Sequence, residues 1–159
     1  MRTSATIAAV LIFLLGIAAA QAAETYPSEV RTITATSATS SCIGDPKTPV
    51  CAVETFRACS ARLNNDLCLR VGVEGFMFRK APYNLRYRIL SARILRPRDI
   101  PSHLRDTYWM KPGHAEITLL ELPDPVLKTC PEGCKYSYYL RPLNGEWQIV
   151  DWSAWDVDD

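Results

Sequence analysis

The sequence predicts an α+β domain: an N-terminal helix packed on a curved antiparallel sheet of about four strands. Apolar residues recur at helical spacing between Pro49 and Leu63, which indicates an amphipathic helix. From Leu85 onward, short runs of alternating apolar and polar residues indicate strands. Asn144-Gly145 is the strongest β-hairpin signal in the chain. A helix followed by strands of this kind is typical of a helical layer that covers one antiparallel sheet.

Residues 1–22 have the features of a secretory signal peptide. Arg2 gives a positive start, Ile7 to Ala20 is an apolar run, and Ala20-Gln21-Ala22 fits a cleavage site. The apolar run is too short for a comfortable transmembrane helix. We therefore expect export to the bacterial periplasm or the extracellular space. Residues 23–46 are then an exposed leader rich in Thr, Ser and Ala, and residues 47–159 form a single disulfide-stabilised α+β domain.

The helix is predicted from its first residue to its last. Thr48 suits the N-cap and Pro49 suits the first helical position. Val53 and Phe56 share one face of the helix. Asn64-Asn65 ends it, and a short second helical turn is expected from Asp66 to Cys68. Polar residues of the first helix, Glu54, Arg57 and Arg62, are expected to point away from the core.

The strands follow a connector, and a long loop from Pro97 to Gly113 interrupts them. Alternation blurs within the first strand, which predicts a β-bulge or strong curvature there. In the last strand, strict alternation places Trp147, Ile149 and Asp151 on one face. The four expected strands are Leu85 to Leu95, Ala115 to Leu122, Lys135 to Arg141 and Trp147 to Trp155.

The six cysteines all follow the signal peptide, so they belong to an oxidising compartment. Cys51 and Cys59 are separated by about 12 Å of helix rise, which is beyond disulfide reach. Local pairing is favoured, and each bridge contributes about 2–3 kcal/mol of stability. A metal or redox site at Cys130 and Cys134 is the alternative. The favoured disulfides are Cys42–Cys51, Cys59–Cys68 and Cys130–Cys134.

Charge and composition point away from several classes of function. The chain has 18 Lys and Arg against 17 Asp and Glu, so no large field attracts nucleic acid. The part after the signal peptide has no long apolar run, and we expect no membrane span there. The two histidines, His103 and His114, lack ligand spacing to the cysteines, so we expect no metal and no cofactor.

The order of elements resembles that of the NTF2-like superfamily of cone-shaped α+β domains. The residues that carry the resemblance are the helix from Pro49 to Leu63, which runs into Asn64-Asn65-Asp66, and the terminal segment from Asn144 to Trp152. The resemblance implies a pocket between the helices and the sheet. It also implies two kinds of function, because the superfamily includes isomerase-like and dehydratase enzymes as well as non-catalytic binding domains.

Four residues are candidates for a site in such a pocket. Asp151 lies among aromatic residues of the last strand, where desolvation would suit it to acid–base chemistry. A pairing with an arginine of a neighbouring strand, or exposure to solvent, is the favoured interpretation. Tyr136 and Tyr138 either line an apolar pocket or belong to the ordinary core. His114, at the start of a strand, is a weak candidate for a base.

The favoured function is an exported, non-enzymatic domain that binds a small apolar ligand or a protein partner through Tyr136, Tyr138 and Asp151. One alternative is a pocket enzyme of isomerase or dehydratase type that uses Asp151 with a tyrosine. The other is an assembly module that forms a homodimer through the face of the sheet. A deep pocket lined by Asp151 and tyrosines would favour the enzyme, and an exposed aromatic face would favour assembly.

Overall fold

The computed structural model describes residues 29–74, 82–123 and 132–156 and contains five strands and two α-helices. All five strands form one antiparallel sheet in sequential order, β1-β2-β3-β4-β5. The α+β class predicted from the sequence is confirmed. The strands are β1 (Arg31–Ile33), β2 (Leu85–Ile94), β3 (Ala115–Glu121), β4 (Cys134–Leu143) and β5 (Glu146–Asp156). The helices are α1 (Pro49–Arg62) and α2 (Asn65–Arg70).

The prediction that a helix comes first was wrong, because β1 precedes α1 and raises the number of strands to five. This strand lies in the segment predicted to be an exposed leader. Its residues pair with the first three residues of β2, and Ile33 is fully buried. A strand of three residues is too short to show a period of two in the sequence.

Local sequence explains the ends of both helices. The Thr48 side chain accepts a hydrogen bond from the backbone N–H of Cys51 at 3.2 Å, and Pro49 opens α1. Leu63 ends α1 in the left-handed conformation, with φ of 54°. Asn64 then caps α2 by accepting from the N–H of Asp66 at 3.0 Å. The two helices are thus joined by a turn that the side chain of Asn64 fixes.

The sheet has one face covered by α1, the inner face, and an opposite outer face. The inner face carries the main core, in which Phe56 of α1 packs against Tyr138 of β4. On the outer face, the segment 95–113, with its two short 3₁₀ helices, covers a smaller apolar cluster. That cluster consists of Leu95, Ile100, Met110 and Tyr139.

Two β-bulges change the phase of alternation in the sheet. The first lies between Ile89 and Ser91, where blurred alternation predicted it. The second lies in β5, because Tyr139 pairs with Asp151 while Leu140 pairs with Ile149. Val150 is the extra residue. A bulge of this kind turns every following side chain to the other face.

The hairpin between β4 and β5 is confirmed at Asn144-Gly145. Both residues have positive φ, 53° and 81°, as a type I′ turn requires. The register from Leu143 to Glu146 closes directly over the turn. This hairpin fixes which side chains at the start of β5 lie on each face of the sheet.

Candidate functional site

Helix α1 directs two charged side chains, Glu54 and Arg57, toward the inner face of the sheet. They lie three residues apart, so they share one side of the helix. Glu54 is 0% exposed and Arg57 is 6% exposed. The prediction that both point away from the core was wrong. The physical reason is that residues 29–46 and α2 also pack around α1, so its residues from Val50 to Ala61 are buried except Cys51.

The carboxylate of Glu54 is saturated by three donors. Arg31 of β1 forms an ion pair with it, and the hydroxyl of Ser40 donates to it. The hydroxyl of Tyr87 donates to Oε1 at 2.9 Å. Burial, together with the nearby negative charge of Glu54, raises the pKa of Tyr87. The phenol therefore stays protonated and remains a donor at neutral pH.

Arg57 forms a second polar cluster on the same inner face. Its guanidinium pairs with Glu121 at the end of β3 and donates from Nη1 to the hydroxyl of Tyr138 at 3.3 Å. It also lies 4.8 Å from the ring centroid of Tyr136, in a cation–π contact. The Nε of Arg57 is buried and has no hydrogen-bond partner among the described residues. One unsatisfied N–H is a cost that the rest of the cluster must offset.

Burial dominates the chemistry of the tyrosines in this second cluster. It raises the pKa of Tyr138 to about 12, although the charge of Arg57 opposes the shift. Burial also raises the pKa of Tyr136. Both phenols are neutral at pH 7 and are poor bases. The cluster is therefore suited to holding a buried arginine in place, and less to proton transfer.

Of the residues predicted to form a site, Tyr136 and Tyr138 lie side by side, and Asp151 lies apart from them. Tyr138 is fully buried on the inner face and Tyr136 is half-buried beside it, with ring centroids 6.2 Å apart. Asp151 pairs with Tyr139, so it lies on the outer face. The expectation that Asp151 shares a face with Ile149 was wrong because the bulge at Val150 separates them. The carboxylate of Asp151 accepts from the N–H of Trp152 at 2.9 Å.

His114 has a local structural contact. Its Nδ1 lies 3.0 Å from the carbonyl oxygen of Trp109, and its backbone joins the segment 95–113 to β3. The carbonyl of His114 accepts from the N–H of Leu95 at 2.7 Å. The ring thus helps to hold the segment 95–113 against the outer face.

Two of the three predicted disulfides are confirmed. Cys42–Cys51 and Cys59–Cys68 have Cα atoms 5.5 and 5.3 Å apart. The first ties the segment before α1 to the first turn of that helix, close to Glu54. The second joins α1 to α2. The predicted pair Cys130–Cys134 includes Cys130, which lies outside the described residues.

The outer face carries polar residues in cross-strand rows. Residues that pair directly across neighbouring strands share a face, and the register places four hydroxyl residues in one row. Within this row Thr118 and Ser137 are joined by a hydrogen bond of 3.2 Å. The hydroxyl row consists of Ser91, Thr118, Ser137 and Ser153.

Charged residues flank the hydroxyl row on both sides. On one side, Arg93 pairs with Glu116 at 2.5 Å, and Tyr139 and Asp151 continue that row. Burial and the charge of Glu116 raise the pKa of Tyr139 to about 12. On the other side, Arg88 and Lys135 lie on either side of Leu120. The outer face thus offers hydrogen-bonding groups and both signs of charge within a few strands.

In the part of the chain that the structure describes, no group of three or more His, Cys, Asp or Glu residues is placed to hold a metal ion. No helix of the described residues is long and apolar enough to cross a membrane.

Comparisons with protein-family models, with curated proteins and with solved structures found no match to this chain.

Proposed function

We propose that this protein is an exported, non-enzymatic binding domain whose outer sheet face contacts a protein partner. The observation that carries the proposal is the different use of the two faces. On the inner face the ionisable groups form hydrogen bonds and ion pairs within the protein, as the contacts of Glu54 and Arg57 illustrate. On the outer face the segment 95–113 covers Tyr139, and Ser137 is buried, but Ser91 and Ser153 are partly exposed and Arg93 is exposed. These three side chains are available for intermolecular hydrogen bonds.

Export is supported by two independent features. The sequence begins with a signal-peptide pattern, and the domain contains Cys42–Cys51 and Cys59–Cys68 as disulfides. Structural disulfides persist in oxidising compartments and are rare in the cytosol. We expect N-terminal sequencing of the exported protein to begin at Ala23. A chain that retains Arg2 in the cytosol would contradict export.

The geometry favours a protein partner over a small apolar ligand and over an isomerase or dehydratase. A small apolar ligand on the inner face would have to separate Phe56 from Tyr138 and Trp152, whose ring centroids lie 5.9 and 5.3 Å from it. The isomerase or dehydratase alternative needs Asp151 with a tyrosine in a pocket between the helices and the sheet, but Asp151 lies on the outer face, opposite Tyr139. The resemblance to the NTF2-like superfamily stays a prediction from sequence.

Site-specific photocrosslinking in the native cells tests the proposal. A photoreactive phenylalanine analogue at Ser153, in the hydroxyl row, should crosslink to a distinct polypeptide. The matched control is Leu69 of α2, which is 49% exposed and belongs to the helical layer. We expect no such product from Leu69.

Three results would contradict a protein partner. Equal products from Ser153 and Leu69 would indicate random collisions. Crosslinked dimers of the chain itself, as the only product at Ser153, would favour the assembly module. A small molecule retained in stoichiometric amount in the native mass spectrum, without any polypeptide crosslink, would favour the small-ligand alternative.

A further inference from the structure

In the part of the chain that the structure describes, the edge of β2 that faces away from β3 is only partly covered. Strand β1 pairs with Leu85 to Tyr87 of β2, and its first residue, Arg31, lies opposite Tyr87. Strand β2 continues to Ile94, and among the described residues no strand pairs with this edge beyond Tyr87. An edge of this kind presents backbone N–H and C=O groups to any added strand.

The register identifies which residues offer those groups. The N–H of Leu95 donates to the carbonyl of His114 at 2.7 Å, so Leu95 faces β3. Alternate residues of an antiparallel strand direct their backbone groups to opposite sides. Ala92 and Ile94 therefore direct their N–H and C=O groups away from β3, toward the open edge.

The side chains along this edge are apolar and basic. Leu90 is 45% exposed and Ile94 is 36% exposed, which are large values for aliphatic side chains. Arginine is the only charged residue type in β2, as its sequence LRYRILSARI shows. Arg86 is exposed, and the buried Nε of Arg88 has no hydrogen-bond partner among the described residues. These features attract an acidic strand and repel a second copy of β2, because like charges would then face each other.

We propose that the edge of β2 from Arg88 to Ile94 binds an extended, acidic segment of the protein partner as an added strand of the sheet. The inference rests on the proposed function and names the chemistry of the partner. Backbone hydrogen bonds at Ala92 and Ile94 supply binding that does not depend on sequence, and Arg86 and Arg88 select for acidic side chains. Leu90 supplies an exposed apolar contact.

Fluorescence polarisation with short synthetic peptides tests the proposal directly. The probe is a labelled heptapeptide that alternates Asp and Val. We expect the full chain without its signal peptide to bind this probe, with affinity that falls as salt is added. Two control peptides should bind at least tenfold more weakly: one that alternates Lys and Val, and the acidic peptide with N-methyl groups that block its backbone donors.

Variants of the protein locate the binding to this edge. Ala92→Pro removes an N–H that points away from β3, and proline is tolerated at such edge positions. We expect it to weaken binding of the acidic probe at least fivefold with an unchanged thermal midpoint. Arg86→Glu combined with Arg88→Glu should weaken binding at least tenfold. The matched control, Arg105→Glu with Arg141→Glu, changes net charge equally at exposed arginines outside β2 and should bind like the parent.

Each contrary outcome overturns the inference. Absence of binding to the acidic probe, or equal binding of the N-methylated peptide, rules out an added strand. Equal loss in the two double variants rules out a local basic site. Dimers seen by light scattering and abolished by Ala92→Pro make a second copy of this chain the occupant. If any of these occurs while crosslinking at Ser153 still captures a polypeptide, the edge inference fails and the proposed function stands.

Discussion

Glu116 and Glu121 lie on the same strand, β3, and each pairs with an arginine, but on opposite faces of the sheet. Glu116 pairs with Arg93 of β2 on the outer face, and Glu121 pairs with Arg57 of α1 on the inner face. The two glutamate side chains are almost equally exposed, at 12% and 13%. The arginines differ, because the side chain of Arg57 is 7% exposed and that of Arg93 is 46% exposed.

The exposure of the arginine therefore determines how much each ion pair contributes to stability. Arg93 can exchange its partner for water at little cost, so its pair contributes little to stability and its charge can be used for binding. Arg57 cannot exchange its partner for water, because it is enclosed by α1 and the tyrosines of β4. A buried charge that loses its partner keeps its full desolvation penalty.

The largest expected effect comes from removing the inner carboxylate. Glu121→Ala leaves Arg57 buried without an anion, and we expect it to lower the free energy of unfolding by about 3–5 kcal/mol. Urea unfolding followed by circular dichroism measures the change. Glu116→Ala is the matched control on the same strand, and it should cost less than about 1 kcal/mol because Arg93 turns to solvent. Similar losses in the two variants would contradict the distinction between the faces.

Two adjacent tyrosines of β4, one on each face, differ in the same way, with a smaller expected effect on stability. Tyr138→Phe removes the hydroxyl that accepts from Arg57 on the inner face. It leaves a buried donor unsatisfied and should cost about 1–3 kcal/mol. Tyr139→Phe removes a hydroxyl beside Glu116 on the outer face and should cost about 0.5–1 kcal/mol. Thermal unfolding of both variants checks the order, and a larger loss for Tyr139→Phe would be evidence against it.

Alkaline pH gives the smallest expected effect, and this effect is similar for the two faces. Burial raises the pKa of both Tyr138 and Tyr139 to about 12, whereas tyrosines of an unfolded chain ionise near pH ~10. Above that pH the unfolded state loses protons that the native state keeps, so stability falls as the pH rises to about 12. Below pH ~10 the contribution of these two tyrosines to the free energy of unfolding is fully present.

The two Phe variants provide the control for the alkaline measurement. Each removes one group with a raised pKa, so each should make the loss of stability between pH ~10 and ~12 shallower. The measurement is the urea midpoint at several pH values. A pH dependence that is unchanged in both variants would refute the role of these tyrosines.

Periodicity and turn chemistry predicted most of the fold. Thr48 locates the start of a helix, and Asn144-Gly145 locates a hairpin. Both features depend only on residues that are close in sequence. Strand β1 was missed because three residues carry no readable period. The bulge at Val150 was missed because two adjacent apolar residues, Ile149 and Val150, fit a regular strand as well as a bulged one.

The candidate site was harder to predict for a related reason. Tyr138 was correctly considered as a core residue, but its partner Arg57 was expected on the surface. Burial of Arg57 and Glu54 depends on the packing of residues 29–46 around α1, which no local pattern encodes. The one available indication was that opposite charges three residues apart, at Glu54 and Arg57, lie among small residues of a single helix.

Double-mutant cycles on the two ion pairs show whether the inner pair stabilises the fold while the outer pair contributes little to stability and leaves Arg93 free to bind. One cycle combines Arg57→Ala with Glu121→Ala, and the other combines Arg93→Ala with Glu116→Ala. We predict a coupling energy of about 2–3 kcal/mol for the inner pair and less than about 1 kcal/mol for the outer pair. Equal coupling energies, or a larger one for Arg93 and Glu116, would contradict the account.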